Sequence, residues 1–107
     1  MSTDHGRPHR VELLHTARIR IKRCGEEARR LGIIREYAAT ILSILENFTV
    51  VPLTWGDPIQ KYKGAKLLLY RRVFEQILTE YAVHEKEHIV YIKECKPVLG
   101  HPLEHFT

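Results

Sequence analysis

The spacing of apolar residues changes once along this 107-residue chain, and that change limits the folds open to it. Leu14, Ala17, Ile21, Cys24, Ala28 and Leu31 recur three or four residues apart, which places them on one stripe of a helix. Gly32 follows and can supply the left-handed residue that ends it. A second stripe starts at once with Ile33 or Ile34, Tyr37, Ile41, Ile44 or Leu45, and Phe48. Ala38, Ala39 and Leu42 are expected to widen its buried arc, making this the helix that lies most fully on its neighbours. Beyond it the helical period stops.

Between residues 49 and 64 Pro52, Gly56, Asp57, Pro58 and Gly64 supply turn chemistry, so a connecting loop is expected. Trp55 inside that loop either plugs the edge of the core or offers a stacking face. Strand patterning follows, with strands expected at 67–74, 76–84 and 88–95. Ile77, Thr79, Tyr81 and Val83 alternate along one face of the second, and Glu85, Lys86 and Glu87 form a charged turn. Strands this close in sequence pair as an antiparallel meander. The expected fold is α+β: two N-terminal helices packed on a small antiparallel sheet. It occupies one domain over residues 10–103, between polar tails at 1–9 and 104–107.

Composition removes several function classes. With 44% hydrophobic and 28% charged residues the chain can bury a core, unlike a disordered segment. No run reaches the roughly 18 apolar residues that span a bilayer, and the start has no apolar stretch like that of a signal peptide, so a cytoplasmic protein without a membrane partner is expected. Cys24 and Cys95 are too few for a disulfide framework and are expected reduced and buried. The histidine pairs His5/His9 and His101/His105 lie where Pro and Gly oppose a helix, so no metal is expected. The chain has no Gly-rich phosphate loop or nucleophile elbow and implies no cofactor.

The formal charge of +4 is uneven. Up to Arg35, nine Arg and Lys residues face four Asp and Glu, and the remainder is nearly balanced. A basic first helix either is a solvated face or favours an acidic partner, whether phosphate backbone or acidic protein.

The order helix, helix, Gly-Asp-Pro turn and meander resembles the RelE/ParE toxin superfamily. The resemblance rests on the helical stretch 33–48, on Trp55-Gly56-Asp57-Pro58, on Leu67-Leu68-Leu69-Tyr70-Arg71-Arg72, and on Tyr81-Ala82-Val83-His84-Glu85. The family's short N-terminal strand would have to come from residues 10–14. The resemblance implies a toxin held by a cognate antitoxin, acting on ribosome-bound messenger RNA as an endoribonuclease or, as in ParE-like members, on gyrase. It implies a catalytic role for Arg71, Arg72 and Lys96. His101 and His105, four residues apart, are either an exposed tail or a proton-transfer pair in place of the family's aromatic residue. The strand tyrosines Tyr70, Tyr81 and Tyr91 either pack in the core or, with Lys93, offer RNA a sheet face on which cations hold phosphates and rings stack on bases, and Lys66 is a further candidate RNA contact. Ile77, Leu78 and Thr79 stand where the family has an arginine before its central tyrosine, and Pro97 follows Lys96 where a second basic residue is usual.

Overall fold

A computed structural model describes residues 8–62, 64 and 66–106. Residues 1–7 of the expected N-terminal tail, His5 among them, and Thr107 lie outside the described residues. The architecture is α+β, with helices on one face of a five-stranded sheet of order β1-β5-β4-β3-β2.

Strand β1 (Arg10–Leu13) falls in the stretch 10–14, where the sequence left a short N-terminal strand open. It runs parallel to β5 (Ile89–Pro97), with Val11 opposite Val90 and Leu13 opposite Ile92, so the sheet is mixed rather than wholly antiparallel. Helix α1 (His15–Arg30) starts within two residues of the strand's end. It buries Ala17, Cys24 and Ala28, whose small side chains let its backbone approach β5 closely. Arg29 and Arg30 in its last turn complement the helix dipole. Gly32 has φ +76°, its N–H donates to the Arg29 carbonyl at 3.1 Å, and Ile33 N–H donates to the Ala28 carbonyl at 2.8 Å. This paired ending satisfies two carbonyls that the helix leaves open and turns the chain straight into the next helix.

Helix α2 (Ile34–Val50) buries Tyr37, Ile41, Ile44 and Phe48, one residue per turn. Ala38, Ala39 and Leu42 face outward, Leu42 with 60% exposure, so the expected wide buried arc is corrected to a narrow stripe. The expected loop after α2 also holds more structure than its turn residues suggest. Helix α3 (Pro52–Trp55) uses Pro52 in its first turn, where a missing N–H costs nothing. Strand β2 (Asp57–Tyr62) then pairs antiparallel with β3 (Leu67–Phe74) through a bulge between Pro58 and Gln60. An edge strand tolerates Pro58, because one side of its ladder has no neighbour to bond.

Strands β3, β4 (Ile77–His84) and β5 form the expected meander. Glu75 and Gln76 join β3 to β4 with φ of +51° and +57°, the twist that a two-residue hairpin turn needs. Neither is a glycine, so the turn is held by its surroundings; the Val98 N–H donates to the Gln76 carbonyl at 2.9 Å.

The core gathers Phe48, Trp55, Tyr70, Tyr81, Ile77, Val83, Val90, Ile92 and Leu103 between helices and sheet. Trp55 acts as the plug. Its ring meets Phe48 edge-on at 5.3 Å and lies near Phe74 and Tyr81. Leu103 is 1% exposed and Phe106 packs against the core, so the chain after β5 returns to the helix layer. No helix of the described residues is long and apolar enough to cross a membrane.

Candidate nucleic-acid interface

Successive side chains of a strand point to opposite faces, so each strand supplies both the core and the surface on the sheet's other side. On the helix side lie Tyr70, Arg72 and Phe74 of β3, Ile77, Thr79, Tyr81 and Val83 of β4, and Val90 and Ile92 of β5. The opposite side carries Leu67, Leu69, Arg71, Leu78, Glu80, Ala82, His84 and Tyr91. Leu69 and Ala82 within it are buried, Leu67 and Tyr91 are half-buried, and Arg71 is exposed.

A bulge decides which β5 residues reach this open face. Tyr81 pairs with Ile92 but Glu80 pairs with Glu94, so Lys93 is the extra residue. With that insertion the alternation restarts. Cys95 turns into the core and Lys96, opposite Leu78, turns to the open face. Unbroken alternation from Tyr91 would have done the reverse. Tyr91 and Lys93 line a shallow groove of about 370 Å³ with Leu14, Leu67, Leu69 and Ala82.

The cations of this face differ in how they are held. Arg71 gives Glu80, directly across the strand pair, a hydrogen bond of 2.9 Å, and Arg10 lies 3.1 Å from Glu12. Lys93 and Lys96 have no ion-pair partner among the described residues. Lys93 stands beside the Tyr91 ring on an aliphatic floor, and Lys96, opposite Leu78, lies farther along the same face. Ammonium groups bind phosphate oxygens as point charges, and the ring offers a face to a base.

The remaining candidates lie elsewhere, and the placements of Tyr81 and Arg72 are corrections. Tyr81, expected to touch RNA, is 0% exposed. Its hydroxyl donates to the Pro52 carbonyl at 2.6 Å and accepts the Gly56 N–H at 2.8 Å, while its ring stacks on Tyr70 at 5.2 Å. Burial pushes its ionisation far above the usual range of a phenol. A Cβ on Gly56 would stand 2.7 Å from that hydroxyl, so the turn needs glycine for space. Arg72, expected to be catalytic, points to the helix side. Its guanidinium donates to the Trp55 carbonyl at 2.7 Å and lies 4.6 Å from the centre of the Trp55 ring, so it clamps α3 to the sheet.

His101 sits in the C-terminal turn, its Nδ1 accepting the Leu103 N–H at 2.9 Å and its ring edge-on to Tyr37 at 6.3 Å. Burial lowers its pKa. Lys66 lines a separate hollow of about 300 Å³ with Lys61, Leu68, Glu85 and Lys86. His105, the expected companion of His101, is exposed beside Glu104.

The expected catalytic group is thus split. Arg71 and Lys96 share the open face, whereas Arg72 and His101 belong to the helix side. The open face carries a different histidine, His84, whose Nδ1 accepts the Glu87 N–H at 3.1 Å. Two-residue periodicity from Ala82 would have found it. Cys24 and Cys95 are free and buried, and burial pushes the Cys95 thiol up to about 12, so neither is an activated nucleophile. Among the described residues no cluster of His, Cys, Asp and Glu could hold a metal ion. Compared with known proteins, the chain matches no family model and no curated protein at significant similarity.

Proposed function

We propose that this protein is a cytoplasmic toxin-like member of the RelE/ParE superfamily that binds RNA through the open face of its sheet and is held in check by a cognate antitoxin. The observation that carries this reading is the pairing of Tyr91 and Lys93 in a groove on the sheet face opposite the helices, with Lys96 farther along that face. Lys93 and Lys96 supply phosphate contacts, Tyr91 a stacking platform, and Arg71, positioned by Glu80, a further cation at the margin. The strand-helix-helix-meander order supports the family reading.

Ribosome-dependent cleavage of messenger RNA is the catalytic form of this activity, with Arg71 and Lys96 as charge-stabilising groups. A second reading, a ParE-like protein that blocks gyrase without cutting RNA, is favoured by one observation. Arg72 and His101 hold the fold together away from Arg71 and Lys96, so the residues expected to catalyse do not form one constellation.

Induced expression in a bacterial host separates these readings. Wild type is expected to arrest growth, and Lys93→Ala/Lys96→Ala to relieve the arrest while keeping the fold. Cut transcripts accompanying the arrest support the endoribonuclease; intact transcripts with accumulating DNA breaks support the gyrase reading. Unimpaired growth with wild type rejects both toxin readings.

A further inference from the structure

Helix α1 carries six arginine and lysine residues against Glu26 and Glu27, and internal ion pairs use only part of that charge. Arg30 is bound by Glu27. Arg20 is bound by Glu94 of β5 through Nε at 2.6 Å and Nη2 at 3.4 Å, both side chains being about one-fifth exposed. Arg23, one turn beyond Arg20, is exposed and has no ion-pair partner among the described residues. Between these arginines and the returning C-terminal segment lies a hollow of about 220 Å³. Ile19, Cys24 and Phe106 supply its apolar wall, and His15, Arg20 and Arg23 supply its polar groups. Ile19 is 37% exposed although it is a large aliphatic residue.

The hollow shares no lining residue with the groove on the open sheet face. From it we infer a second interaction site, one that takes an acidic amphipathic segment of a partner protein. The occupant places one aromatic or leucine-sized side chain against Ile19 and Phe106 and a neighbouring carboxylate on Arg23.

Size and charge both select this occupant. A cavity of about 150 Å³ accepts a benzene molecule, so this hollow has room for one large side chain and not for a folded element. An apolar anchor seated in a pocket, with opposite charge at its rim, is the usual composition of a peptide-binding hot spot. A nucleic-acid strand would use the cations but would leave the apolar wall unmatched, since its backbone presents phosphate and sugar. Arg20, already bound by Glu94, keeps the rim in shape, and Arg23 remains available for the incoming carboxylate.

The test pans a random peptide library displayed on phage against the full chain and titrates the recovered peptides. The expected result is enrichment of sequences pairing Asp or Glu with an aromatic residue, Leu or Met. Their affinity should fall about tenfold, or roughly 1.4 kcal/mol, for Arg23→Glu and at least as much for Ile19→Asp. Lys93→Ala should leave it unchanged. Circular dichroism verifies that each variant is folded, and Arg23→Gln replaces Arg23→Glu if the reversal disturbs the helix. The inference is overturned if no acidic consensus emerges, if the peptides bind the Arg23 and Ile19 variants as tightly as wild type, or if a single-stranded oligoribonucleotide competes them off in an Arg23-dependent way.

Discussion

The two faces of this sheet draw on the same residue types and put them to opposite uses. On the helix side Tyr81 is wholly buried, its hydroxyl bonded to Pro52 and Gly56, and Arg72 lies over the Trp55 ring. On the open side Tyr91 lines a groove and Lys93 stands beside it in solvent. Arg71 and Arg72 are neighbours in the chain, yet one meets Glu80 across the open face and the other clamps α3. A tyrosine or arginine in a strand therefore carries no functional meaning until its face is known. What differs is the number of fixed partners. Tyr81 and Arg72 have two or more each, and Lys93 and Lys96 have no ion-pair partner among the described residues.

That contrast can be broken first by truncating the core. Phe48 is 0% exposed and touches Trp55 and Tyr81, so Phe48→Ala should cost about 3–5 kcal/mol in denaturant unfolding. Tyr91→Ala on the open face should cost far less. Equal losses would mean that the open face is packed against something after all.

A smaller change sharpens the role of the buried tyrosine. Tyr81→Phe removes one hydroxyl and leaves the Gly56 N–H and the Pro52 carbonyl without their partner, an expected loss of about 1–3 kcal/mol by chemical denaturation. A variant as stable as wild type would show that α3 is not held by this latch.

The smallest effect is a pH dependence at the sheet's parallel edge. The His9 ring lies 4.8 Å from that of His88, and the His9 backbone N–H donates to the Thr49 carbonyl at 2.9 Å. Burial first, and the His88 imidazole second, lower the pKa of His9 below its ordinary 6.5. Folding then favours the neutral ring, so stability is full above that value and declines as pH falls through it. Burial of His101 acts with the same sign. Thermal melts from about pH 7 down to about pH 5 should show a falling midpoint, with a shallower slope for His9→Asn. A midpoint that rises over that interval would reverse the assigned sign.

The helices were legible because their stripes are long and Gly32 marks the break between them, and the meander because Ile77, Thr79, Tyr81 and Val83 alternate. Strand β1 was hard to read, since four residues with Arg10 and Glu12 on one side give too short a period to stand out. Strand β2 was hidden by Pro58, whose turn preference is overridden at a sheet edge. Leu42 misled because an apolar residue next to a stripe reads as buried, whereas Tyr37, Ile41, Ile44 and Phe48 already fill the space against the sheet. Of the site, the cationic and aromatic residue types were visible but their faces were not. The β5 bulge, which sends Lys96 outward, depends on pairing with β4 and leaves no local mark in the chain. The return of Leu103 and Phe106 to the helix layer is likewise a tertiary choice.

The claim that the open face binds RNA is tested most directly by titrating a fluorescently labelled single-stranded oligoribonucleotide at several salt concentrations. Wild type should bind with an affinity that falls as salt rises. Lys93→Ala/Lys96→Ala should bind more weakly, its salt slope reduced by roughly 0.7 for each phosphate that is no longer neutralised, and Arg72→Ala should match wild type wherever it remains folded. Binding that disappears in Arg72→Ala and persists in the double lysine variant would contradict the account.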